Sequence, residues 1–105
     1  MAEMVVVAMM KAGEGNVDTV VEAIKEVAGE THAEEGCITY AVHRGAHDPN
    51  TVVLVERWRS QEDLDAHFRQ PYVAALGEQA SLLAEPPQVH FLGAVPAGQA
   101  EKGRL

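Results

Sequence analysis

The sequence predicts an α+β fold of the ferredoxin-like kind, in the order β-α-β-β-α-(α)-β with one four-stranded antiparallel sheet. Three observations predict it. Apolar β-type runs and helical periodicity alternate along the chain in that order. At 105 residues the chain has the size of a single domain and is too short for two independent cores. The runs Val5–Met10, Val52–Val55 and Val89–Leu92 are apolar on both faces, although helices on one side cover only one face of a sheet. The second face then wants a partner, and two such sheets packed face to face give a homodimeric α+β barrel. The domain spans residues 1–95. The polar tail 96–105 would fray unless something holds it down, and a partner subunit is one candidate.

Taken in order, Met4 to Lys11 is Val-rich and ends at Gly13-Glu14-Gly15, a strand closed by a turn. From Asn16 the period changes. Val17, Val20, Val21, Ile24, Val27, Ala28 and Thr31 recur at helical spacing, with Asp18, Glu22, Lys25, Glu26 and Glu30 on the other face and Asn16 or Asp18 as cap. Gly36 is expected to stop this helix, and Cys37 to Arg44 forms a second strand. The loop Gly45–Asn50 links it as a hairpin to a third strand, Thr51 to Arg59. Ser60-Gln61-Glu62-Asp63 resembles a capping box, after which Leu64, His67 and Phe68 share a helical face. Pro71 breaks or restarts the helix, Tyr72 to Leu83 continues it, and Pro86-Pro87 ends it. Gln88 to Val95 is expected as the fourth strand.

Charge narrows the partners. A formal charge of -8, with no Lys/Arg cluster, repels phosphate backbones and anionic headgroups, so neither nucleic acid nor a membrane is expected to bind. The apolar start has an acid before it and no basic region or cleavage site, which fails as a signal peptide. One cysteine, Cys37, excludes an internal disulfide and fits a reducing, cytoplasmic setting. His32, His43, His47, His67 and His90 lack metal-ligand spacing, so no metal site is expected. Gly13-Glu14-Gly15 mimics a dinucleotide fingerprint, but Asp18 stands where a third glycine belongs and Glu14 would face a pyrophosphate with like charge.

The residues with chemical capacity cluster in the middle of the chain. His67 lies at the edge of an apolar helix face and is either a general base working near neutral pH or a core-edge histidine bonded to a carbonyl. Glu56 and Trp58, two apart on the third strand, leave the same sheet face. Trp58 packs the core or walls a pocket, and Glu56 orients a donor or a histidine, or makes a strand-end ion pair. Arg57 and Arg59 leave the other face, where they pair across strands or with a second subunit. Tyr40 offers a hydroxyl from the neighbouring strand, Phe68 flanks His67, and His43 competes with His67 as the histidine facing the cavity. Cys37 has no adjacent cation to make it a thiolate and reads as a small buried residue.

The segments Glu35-Gly36-Cys37-Ile38-Thr39-Tyr40, Asp48-Pro49-Asn50, Leu54-Val55-Glu56-Arg57-Trp58-Arg59-Ser60 and Leu64-Asp65-Ala66-His67, in that order, resemble the antibiotic biosynthesis monooxygenase family. The resemblance implies a dimeric α+β barrel that oxidises a quinol-like or polycyclic aromatic substrate with O2 and without a cofactor. His67 would be the base and Glu56 the orienting group, with Trp58, Tyr40, His43 and Phe68 against the substrate. A non-oxidative small-molecule binder or isomerase is the alternative. A haem-degrading enzyme ranks behind it, because haem-binding relatives use an Asn on the first strand and Met4 to Lys11 has none.

Overall fold

A computed structural model describes residues 2–105. The elements are β1 (Met4–Lys11), α1 (Val17–His32), β2 (Cys37–Arg44), β3 (Thr51–Trp58), α2 (Gln61–Phe68), α3 (Pro71–Gly77), a 3-10 turn over Glu78–Leu82, and β4 (Gln88–Leu92). All strand pairs are antiparallel, in the sheet order β2-β3-β1-β4. This is the ferredoxin-like α+β arrangement that the order of periodicities predicts.

Register decides which side chains share the helix-covered face. β1 pairs with β3 from Met4↔Trp58 to Lys11↔Thr51, which sets Val6 beside Glu56 and Ala8 beside Leu54. β2 adds Tyr40↔Glu56 and Val42↔Leu54 to the same face. A bulge between Cys37 and Thr39 makes Ile38 the extra residue, so that Cys37 pairs with Trp58 while Thr39 pairs with Arg57. Against this face α1 lays Val17, Val20, Ile24 and Val27, all buried, and Trp58 and Leu64 complete the core. Each large apolar side chain so buried contributes about 1.5–3 kcal/mol relative to exposure.

Five local features differ from the sequence reading, each for a tertiary reason. Asn16 makes no side-chain cap bond; its Nδ2 instead donates to the Leu82 carbonyl at 3.2 Å, tying the start of α1 to the far end of the chain. α1 ends at His32, before Gly36, and Gly36 serves a different need: a Cβ there would overlap the Asp63 carboxylate. The helix expected over Tyr72–Leu83 stays α-helical only to Gly77, because Leu83 bridges to Ala12 and the Ala84 N–H donates to the Lys11 carbonyl at 2.8 Å. β4 stops at Leu92, the partner of Val5, because β1 offers only Met4 beyond that point. β3 likewise ends at Trp58, one residue early, as the chain turns into the Ser60 cap.

The opposite face of the sheet carries Val5, Val7 and Met9 from β1, Val53 and Val55 from β3, and Leu92 from β4. Among the described residues no helix packs there. Arg57 also lies on this side, where its guanidinium donates to the Glu3 carboxylate at 2.7 Å and to the Leu105 carbonyl at 2.8 Å. The polar tail thus has an attachment within its own chain. Arg59 pairs instead with Asp63 and Glu35. Among the described residues no helix is long and apolar enough to cross a membrane.

Candidate active site

The cavity lies between the sheet and the helices. It encloses about 230 Å³, with Val6, Ala8 and Leu54 from the sheet, Val20 and Ile24 from α1, and Val73, Leu76, Ala80 and Leu83 from the segment after Pro71. Its walls are almost wholly apolar. The exceptions are Tyr40, Glu56, His67 and Gln79.

His67 is delivered by the way α2 starts. Ser60 Oγ accepts from the Asp63 N–H at 3.2 Å, and Arg59 grips the Asp63 carboxylate at 2.8 and 3.0 Å, which fixes the first turn and hence the phase of the helix. Leu64 and His67, three residues apart, therefore both face inward, and His67 is only 2% exposed. Its ring lies 4.5 Å from the Trp58 ring, 5.5 Å from Tyr40 and 5.6 Å from Phe68, centroid to centroid. Its Nδ1 is 2.8 Å from Glu34 Oε2, and the same oxygen accepts from the Tyr72 hydroxyl at 2.5 Å. Nε2 has no hydrogen-bond partner among the described residues. Thr31 Oγ1 is the one fully enclosed side-chain polar atom lacking a partner among the described residues, and His67 is one of the residues that line the cavity.

Glu56 and Trp58 form a second unit. Being two apart on β3 they share a face, and the Trp58 indole N–H donates to Glu56 Oε1 at 2.9 Å. Both are buried. Burial pushes the Glu56 carboxyl above the usual carboxylate range; the Trp58 N–H and nearby His67 pull it back, and Glu34 adds to the rise. Burial, with Glu56 close by, also raises the Tyr40 hydroxyl well above its ordinary value, so it remains a neutral donor. Cys37 is half-buried, and burial together with Glu34 and Glu56 raises its thiol, which leaves it a poor nucleophile.

Of the other residues singled out in the sequence, Phe68 borders the cavity and His43 does not. Phe68 is half-exposed at the cavity's rim and meets Phe91 of β4 edge-on, 6.0 Å away at 71°. His43 does not reach the cavity of its own chain: it alternates away from Tyr40 and Val42, pairs with Val53, and stands exposed on the uncovered face. The expectation that His43 lines this pocket is corrected accordingly. Glu56 orients a donor, the Trp58 indole, while the carboxylate on His67 is Glu34. Glu34 and Tyr72 were both missed as site residues. They lie 33 and 38 residues from their partners, and no spacing rule links them. Gly36 was the available signal, since it lets the Asp63 side chain press against the α1–β2 loop that carries Glu34. Among the described residues no group of three or more His, Cys, Asp or Glu is arranged to hold a metal ion.

Residues 4–79 match the family described as antibiotic biosynthesis monooxygenase. Among solved structures, the chain is similar to Rv0793 of Mycobacterium tuberculosis, at 27% identity over 94% of this chain and 99% of that one, with a TM-score of 0.84. A conserved protein of Methanosarcina mazei Go1 shares 25% identity over 88% and 92% of the two chains, with a TM-score of 0.83. A candidate antibiotic biosynthesis monooxygenase of Nitrosomonas europaea shares the fold, with a TM-score of 0.85 at 21% identity over 92% and 95%. No curated protein matches the chain.

Proposed function

Because the chain belongs to the antibiotic biosynthesis monooxygenase family, we propose that it is a cofactor-independent monooxygenase of a quinol-like or polycyclic aromatic substrate, acting as a cytoplasmic homodimer. One observation carries the reading: buried His67, bonded to a carboxylate through Nδ1 alone, lines a cavity whose walls are almost wholly apolar. An apolar cavity selects a planar hydrophobic substrate, and the few polar groups orient it. His67 takes a phenolic or benzylic proton, leaving an electron-rich anion in the largely aliphatic cavity beside Tyr40. That anion passes one electron to O2. The substrate radical and superoxide recombine as a peroxide, which takes up a proton and loses water, so that a CH2 and O2 become C=O and H2O. The substrate supplies the electrons, and the protein supplies the base, the dry cavity and the orientation. Phe68 and Phe91 form the rim the substrate crosses.

The experiment is oxygen uptake by metal-stripped protein across a panel of anthrones, naphthols and quinols. The wild type is expected to consume oxygen, and His67→Ala to lose about 10²- to 10⁴-fold in kcat, the usual contribution of a general base. Equal turnover by the variant rejects His67 as base, and no uptake by the wild type rejects the oxygenase reading.

A second reading has its own observation. His67 and the buried Glu56, whose carboxyl burial raises, face one cavity, which equips it to enolise a carbonyl compound without oxygen. Deuterium incorporation from solvent into a bound ketone, without oxygen uptake, favours that isomerase reading.

A further inference from the structure

We propose that Glu34 is the positioning residue of this site: its carboxylate holds His67 as the Nδ1–H tautomer, aims the bare Nε2 into the cavity, and through Tyr72 fastens the α3 wall to the base. The inference rests on His67 acting as the base, and it assigns work to two residues that the catalytic reading leaves idle.

The geometry constrains the proton. A neutral imidazole has one donor and one acceptor nitrogen, and a carboxylate accepts only. With Nδ1 at 2.8 Å from Glu34 Oε2, the ring proton belongs on Nδ1 and the lone pair on Nε2. Tyr72 spends its single hydroxyl hydrogen on the same oxygen. Burial and Glu34 both raise that hydroxyl, so Tyr72 stays protonated and donates. Glu56 is unsuited to the task, since its Oε1 is committed to the Trp58 indole.

The carboxylate is itself held. The Glu34 N–H donates to the Thr31 carbonyl at 2.9 Å, and its carbonyl accepts from the Cys37 N–H at 3.1 Å, so the loop between α1 and β2 presents the side chain from a backbone fixed on both sides. Its side chain is 14% exposed, shielded enough for the pair to resist competition from water. On the receiving side, a ring turned over about its own axis would put carbon against Glu34 and lose the bond. Tyr72 is the second residue of α3, and Val73 and Leu76 of that helix line the cavity. One carboxylate oxygen thus joins the base to the wall against which the substrate packs.

The test reads the tautomer directly, before any substrate is added. Long-range proton–nitrogen spectra of ¹⁵N-labelled protein, at a pH where the ring is neutral, are expected to show His67 protonated on Nδ1. In Glu34→Gln the amide can donate to Nδ1, so the spectrum should switch to Nε2–H. The kcat of that variant should fall about 10²- to 10⁴-fold with KM little changed, as a carboxylate-to-amide change does beside other catalytic histidines. Glu34→Asp, which keeps the acceptor, should retain the Nδ1–H signature and recover part of kcat. Tyr72→Phe should keep the tautomer and raise KM more than it lowers kcat. An Nε2–H signature in the wild type, or an unchanged tautomer in Glu34→Gln, overturns the proposal. A switched tautomer alongside full turnover by His67→Ala upholds the positioning and rejects the base, which separates the two readings.

Discussion

The two faces of the sheet are built from the same strands and nearly the same residues, yet only one is organised for chemistry. On the helix-covered face Glu56, Trp58, Tyr40 and His67 are buried, and the carboxylates there meet specific N–H or O–H donors. On the other face Val5, Val7, Met9, Val53 and Val55 stand with no helix of the described residues over them, and His43 is open to solvent. Alternation along β3 puts Glu56 on one side and Arg57 on the other, only one residue apart. The lesson is that composition does not distinguish a site from a bare sheet face; cover does, because only desolvation makes polar groups hold one another in fixed geometry.

Perturbing each face sharpens that contrast. On the covered face Trp58→Ala removes a fully buried ring that packs on His67, and the fold is expected to lose about 3–5 kcal/mol in urea unfolding. A loss below about 1 kcal/mol, the usual scale of a surface change, would mean that the Trp58 side of the core is loosely packed. On the bare face, where the proposed homodimer would pair, Val55→Asp should leave the subunit folded by circular dichroism while halving the mass seen in sedimentation, because a C2 pairing would meet the new charge twice. A wild-type protein that sediments as one chain at micromolar concentration breaks the dimer side of the comparison.

The smallest effect concerns Glu56. A carboxyl whose folded pKa is raised contributes most at low pH and costs stability as pH climbs through that value, because burial penalises the charge. Glu56→Gln keeps an acceptor for the Trp58 indole without the charge. It should therefore be somewhat more stable than wild type at neutral pH, and the advantage should vanish as pH falls through the carboxyl range. Thermal melts of both proteins across that range check this. A stability difference independent of pH would mean that Glu56 stays ionised at little cost.

Much of this was legible beforehand. β1 and β2 fall where the apolar runs lie, and α2 begins at the Ser60 cap, because period and capping are local properties of a few consecutive residues. His43 was misjudged as a pocket residue although alternation from Tyr40 already put it on the opposite face. Glycine often stops a helix, so the sequence suggests that role for Gly36; its close contact with Asp63 arises only when the α1–β2 loop meets α2.

The sequence by itself determined the order of strands and helices, the shared face of Glu56 and Trp58, and the family, since all three are written in short-range pattern. The tertiary structure alone decided that Glu34 and Tyr72 meet at His67, where the α1 helix stops, and which sheet face the helices leave bare. The physical reason is distance along the chain. A hydrogen bond across 33 residues exists only once the whole core has closed around it, so no local window of residues contains the information that makes it.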